Sequence, residues 1–268
     1  MRNDPLPCSG ARRSGARLYS GALPGLLLLV GVPALMVWAP ALPCHSDAGE
    51  ASTPATWLPT VDTEGSGPAS VLEAGSIVVN PAARSLSFTA TLQREAFDSS
   101  LPPDHQYHAV VSRTGGASHQ ALFVTDADDE EVARMLRDLG AEDGGGVPMS
   151  AWNLRWLPLV NAPTARVKGS RVEVMVEWER GERPYTLAEL LDDPGGEGVE
   201  MRFGGNEAHN HEWESGCILC LFSCPGGVIS NSAYTIRDHQ RGVTSFEGSD
   251  LLPDDGTEVT ITLALVPD

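Results

Sequence analysis

The chain has 268 residues, with 18 Lys+Arg against 36 Asp+Glu, and its formal charge of −18 argues against nucleic acid, itself a polyanion, as a partner. Hydrophobic residues make up 41% and aromatics only 6%, while 28 Gly and 20 Pro punctuate the sequence, which excludes a wholly disordered polymer and a long-helix protein. Lys168 is the only lysine and no P-loop surrounds it, so Schiff-base and phosphate-loop chemistry are set aside.

Arg2, Arg12, Arg13 and Arg17 precede an apolar stretch from Leu26 to Trp38, and Ala39-Pro40-Ala41 offers a small-residue cleavage site. Residues 1–41 therefore read as a signal peptide. Left uncleaved, Gly21 to Leu42 would be long and apolar enough to anchor the chain across roughly 30 Å of hydrocarbon. Either way the body is expected outside the cytoplasm, periplasmic or envelope-associated, touching a membrane only through this leader. Residues 42–70 are rich in Ser, Thr, Pro, Gly and Ala without sustained periodicity, and read as a flexible tether. Residues 71–268 are enough for one domain with its own core.

Period-two alternation dominates this domain. Leu86, Phe88, Ala90 and Leu92 share a face in Ser85 to Leu92, as do Val172, Val174, Val176 and Trp178 in Arg171 to Glu179, and Val259, Ile261, Leu263 and Leu265 near the end. Weaker strand signals lie at His105 to Ser112, Gln120 to Thr125, Val199 to Phe203 and Val228 to Ile236. Helical spacing is clear once, at Val132, Met135, Leu136 and Leu139, with Asp128 and Glu131 forming a capping-box-like start and Gly140 a stop. A shorter helix is predicted over Leu187 to Asp192, with Thr186 as N-cap and Glu189 reaching back. This pattern predicts an α+β domain with an antiparallel or mixed sheet, one clear helix and one short one.

Residues 204–235 hold three of the five cysteines and two of the seven histidines. Cys217, Cys220 and Cys224 are spaced C-x2-C-x3-C and followed by Pro225, three sulfurs within eight residues of turn-forming sequence. Soft thiolates at this density select an iron-sulfur cluster, zinc or Cu(I). The spacing matches the last three cysteines and the proline of the bacterial ferredoxin run, with Glu214 where the first cysteine would stand. A fourth ligand would come from Glu214, His211 or His209. Zinc would take Cys3His with His211 or His209, and copper could draw on His239 further along. The bland alternatives are a disulfide with one thiol left over, or thiol redox chemistry at Cys217 and Cys220.

Other motifs fail. His211-Glu212 begins like H-E-x-x-H but position 215 is Ser, and the acids from Asp126 to Glu131 suit a helix N-terminus better than a calcium loop. His105, His108 and His119 lie on strand-like segments, where surface or satisfied core roles are commoner than catalytic ones. No hydrolase motif is present.

The segments Phe203-Gly204-Gly205-Asn206-Glu207, Gly216-Cys217-x-x-Cys220-x-x-Ser223-Cys224-Pro225-x-Gly227, Ser230-Asn231-x-x-Tyr234 and Leu252-Pro253-x-Asp255-Gly256-Thr257 resemble the YdjY-domain family. Tyr107-His108-Ala109-Val110-Val111, the Gly-Gly before His119 and Leu122-Phe123-Val124-Thr125 fit as well. The resemblance covers roughly residues 75–266 and implies an exported bacterial protein, ferredoxin-like in its cysteine loop, with Cys217, Cys220 and Cys224 as cluster or metal ligands. The expectation is a metal or iron-sulfur protein of the cell envelope, serving electron transfer or redox maturation, whose protein partner presents a basic face. The alternative is a noncatalytic binding or interaction domain with a structural zinc or a disulfide-pinned loop.

Overall fold

The computed structural model describes residues 72–74, 76–100 and 106–268. The leader at 1–41, the tether at 42–70 and His105 lie outside the described residues. Among the described residues the strands, in chain order, are β1 (Leu72–Ala74), β2 (Ile77–Asn80), β3 (Ser85–Leu92), β4 (His108–Ser112), β5 (Phe123–Thr125), β6 (Arg171–Glu177), β7 (Tyr185–Thr186), β8 (Leu191–Asp192), β9 (Met201–Phe203), β10 (Cys217–Cys220), β11 (Ile229–Asn231), β12 (Glu247–Gly248) and β13 (Glu258–Val266). The helices are α1 (Arg94–Asp98), α2 (Asp129–Asp138), α3 (Met149–Asn153), α4 (Glu207–Trp213) and α5 (Ile236–Gln240). None of them is long and apolar enough to cross a membrane.

Strands β3, β13, β6, β9, β11, β10, β4 and β5 pair in that order, and β5 pairs back onto β3, so eight strands close into a barrel. The β4–β5 and β10–β11 pairs are parallel and the other pairs around the ring antiparallel. Closure depends on β3 dividing one edge between two partners. Its first half, Ser85 to Phe88, pairs with β2, and its second, Ala90 to Leu92, pairs with β5.

This overturns the α+β expectation. The helices run only five to ten residues and lie in the connections between strands, rather than forming a layer against an open sheet. Alternation with one apolar face is written identically for a barrel wall and for an open half-buried sheet. The long alternating segments do become β3, β6 and β13, and their predicted apolar faces are buried together in the main core, except that Trp178 lies just past β6 and is only partly buried against that core. An eight-stranded barrel has an interior just wide enough for such side chains to fill.

The clear helix forms as α2, with the Asp128 side chain accepting a hydrogen bond from Glu131 N at 3.0 Å and Gly140 in the left-handed region at φ 91°. The second predicted helix, Leu187 to Asp192, does not form. Thr186 and Glu189 make the expected reciprocal bonds, Thr186 N to Glu189 Oε2 at 2.8 Å and Glu189 N to Thr186 Oγ1 at 3.3 Å. They close only a turn, because Leu187 N donates to Val174 O of β6 and Leu191 pairs with Gly248 of β12. Sheet pairing with distant residues wins over a local capping signal.

Candidate functional site

The cysteine run, read as turn from its sequence, begins as a strand. Cys217 to Cys220 form β10, buried throughout between β4 and β11, and only the stretch after it loops round through Cys224 to β11. Ile218 and Leu219 between the cysteines, both fully buried, explain this, since cysteine itself packs as a small hydrophobe.

In a regular strand residues three apart face opposite sides. β10 is irregular: Cys217 stands opposite Val111, Leu219 opposite Val110 and Cys220 opposite His108, so one residue is extra on β10 and then one on β4. Such bulges re-aim side chains, and here Cys217 and Cys220 come into side-chain contact. Cys220 also touches Cys224, and all three thiols are free. Burial, reinforced by Cys217, pushes the Cys220 thiol well up from its ordinary range. The Cys224 thiol is pushed up by Cys220 and then by burial. Backbone N–H groups oppose this, Phe222 on the Cys220 sulfur and Gly226 on Cys224 Sγ at 3.3 Å.

His108 Nδ1 lies 3.3 Å from Cys217 Sγ, a contact across 109 residues of chain. Asn210, on α4, clamps the backbone of Cys217. Its Nδ2 donates to Cys217 O at 3.0 Å and to Asp129 Oδ2 at 2.7 Å, and its Oδ1 accepts from Cys217 N at 3.2 Å. Asp129 opens α2, and burial raises its carboxyl above the usual range. An Arg137–Glu207 ion pair ties α2 to α4 a second time. Asn206 Nδ2 donates to Cys224 O at 3.1 Å. The helix read from periodicity thus supports the helix that holds the cysteine strand.

Glycines permit the close approaches. A Cβ on Gly115 would collide with the backbone of Ser215 and Gly216, and one on Gly226 would lie 2.6 Å from the Trp213 ring. Trp213, Trp152, Tyr107 and Phe222 wall a pocket of about 260 Å³ onto which Cys217, Cys224 and His108 open. Trp152 and Trp213 have centroids 5.7 Å apart, and Arg155 sits 4.0 Å above the Trp152 ring. His239 is buried behind Phe222, stacked at 4.4 Å, with Nδ1 3.2 Å from Thr244 Oγ1.

The structure therefore brings Cys217, Cys220 and Cys224 together. His211 and Glu214 have exposed side chains on and just after α4, and Glu214 ends that helix in the left-handed region at φ 50°. His209 pairs with Glu212 at 3.5 Å. Sequence reasoning passed over His108, Asn210 and the four rings. The one available signal was His108 following Tyr107 at the head of an apolar strand, a polar group opening a segment that is buried throughout. Among the described residues, no group of three or more His, Cys, Asp or Glu is arranged, as it stands, to hold a metal ion.

Fold and site together define a mixed β-barrel domain with a buried thiol cluster under an aromatic pocket. The chain belongs to the YdjY domain family, whose sequence model matches residues 77–264. It is 32% identical over 164 residues to the uncharacterized protein YdjY of Escherichia coli (strain K12), an alignment covering 60% of this chain and 68% of that relative. No solved structure matches the chain.

Proposed function

We propose that this is an exported soft-metal-binding protein of the cell envelope, acting in electron transfer or redox maturation, with Cys217, Cys220 and Cys224 as its donors. The observation that supports it is the meeting of three free thiols, two of which, Cys217 and Cys224, line an aromatic pocket while Cys220 lies buried against both. Thiols protonated without a metal do not repel one another, and an entering soft ion displaces their protons while side chains rotate to meet it. Backbone N–H groups already directed at two of the sulfurs would stabilise the resulting thiolates.

An iron-sulfur cluster fits these residues poorly. Cys220 touches both other cysteines instead of standing apart around a cluster-sized space, and the side chains of His211 and Glu214 are exposed. The donors suit a single ion better, with His108 the nearest imidazole.

The test is anaerobic purification of the full chain, followed by metal and acid-labile sulfide analysis beside a visible spectrum. We expect a soft metal ion without sulfide, lost when Cys217, Cys220 and Cys224 are replaced by Ser while the circular dichroism of the fold persists. Iron with matching sulfide would restore the cluster. A metal-free protein with oxidised cysteines would replace metal binding by thiol chemistry, and one with inert reduced thiols would leave a noncatalytic interaction domain.

A further inference from the structure

We infer that the ion is Cu(I), held at the pocket floor by Cys217 and Cys224 beside His108, and exchanged through the aromatic pocket. This rests on the soft-metal reading above and adds the identity of the ion and its route.

The first ground is the donor chemistry. The pocket lining carries two sulfurs and one imidazole and no carboxylate, its oxygen donors being only the neutral groups of Tyr107, Gln120 and Ser215, so it suits a soft ion better than a hard cation such as Mg²⁺ or Ca²⁺. The second is the number of donors. Structural zinc sites are closed tetrahedra of four ligands, whereas the cavity lining itself offers three nitrogen or sulfur donors, Cys217, Cys224 and His108. Cu(I), with a filled d shell, is satisfied by two or three soft donors. Cys217 and Cys224 both open on the same cavity, and the third sulfur, on Cys220, touches each of them.

Position supplies the third ground. A structural metal is buried where the fold depends on it, but this barrel already has a large apolar core of its own. The sulfurs instead line a cavity of about 260 Å³ walled by aromatic rings. Ring faces attract cations. Trp213 rests on Gly226, whose N–H donates to Cys224 Sγ, so its ring is coupled to the ligand loop. On binding, two Cu–S bonds form and two S–H protons leave to solvent, with copper remaining Cu(I) throughout.

The experiment titrates the anaerobic full chain with Cu(I) in competition with a chromophoric Cu(I) chelator, and in parallel with Zn(II) alone. The expected result is one Cu(I) per chain with quenching of Trp fluorescence. Binding is lost in Cys217→Ser and Cys224→Ser, and is weaker by about 10–100-fold in His108→Ala. If the serine variants fail to fold, X-ray absorption on the copper-loaded parent decides: sulfur-dominated two- or three-coordinate copper supports the assignment, and oxygen- or nitrogen-dominated copper overturns it. Zn(II) that Cu(I) does not displace would overturn the Cu(I) assignment and leave the soft-metal reading standing. Binding of neither ion would remove both.

Discussion

Asn210 is 1% exposed and satisfies both backbone polar groups of Cys217, which makes it the residue whose removal should be felt most directly at the site. Asn210→Ala deletes two hydrogen bonds to the Cys217 backbone and one to Asp129, at about 0.5–1.5 kcal/mol each, while Val228 N still reaches Cys217 O. Urea denaturation of that variant should show a loss of about 2–4 kcal/mol. At the surface, Arg183 and the Thr186 N–H hold the Glu189 carboxyl down at about 2, from an ordinary 4.5. A depressed carboxylate contributes stability above its unfolded pKa and loses it as pH falls through the folded one. Glu189→Gln should therefore be less stable than the parent above pH 4.5, by no more than about 1 kcal/mol for so exposed a pair, and the two should converge as pH falls towards 2. Urea midpoints of both proteins across that range are the check. Glu189 was visible in the sequence as a capping residue. Arg183, which holds it from six positions earlier, was not, because no helical spacing relates the two.

Elements here are decided by what they meet. Asp128→Ala removes an N-cap from α2 and should cost about 1 kcal/mol, a local effect readable from sequence. Gly115→Ala should cost more, because its Cβ would strike the backbone at Ser215 and Gly216 that leads into β10, where no side-chain rotation relieves it. Thermal melts of the two variants side by side should rank them in that order; equal losses would show that the loop at 115 yields easily. The same contrast explains why α2 was legible and β10 was not. Val132, Met135, Leu136 and Leu139 carry their period within ten residues, whereas Cys217 to Cys220 reads as strand only once β4 and β11 lie on either side. Leu187 to Asp192 failed for this reason too: its capping residues were correctly seen, and its continuation was taken by sheet contacts.

Across the whole molecule, closure of the barrel sets the core and surface charge sets the approach of partners. Ile261 is fully buried and pairs with Phe88 on one side and Val176 on the other, so Ile261→Ala should cost about 2–5 kcal/mol, read from chemical denaturation. With a formal charge of −18, any protein partner in the proposed role should present a basic face and bind more weakly as salt rises. Association unchanged between low and high ionic strength would sink that expectation.

What the sequence by itself determined is whatever is written within a few residues: the faces of β3, β6 and β13, the caps of α2, the crowding of Cys217, Cys220 and Cys224, and the family that shares these motifs. What only the tertiary structure decided is what joins distant segments: the pairing of β3 with β5 that turns a sheet into a barrel, the bulges that bring Cys217 and Cys220 to one side, and the meeting of His108 with Cys217. Periodicity reports which face of a segment is apolar, and says nothing about which other segment will cover it. That choice is made by the packing of the whole chain.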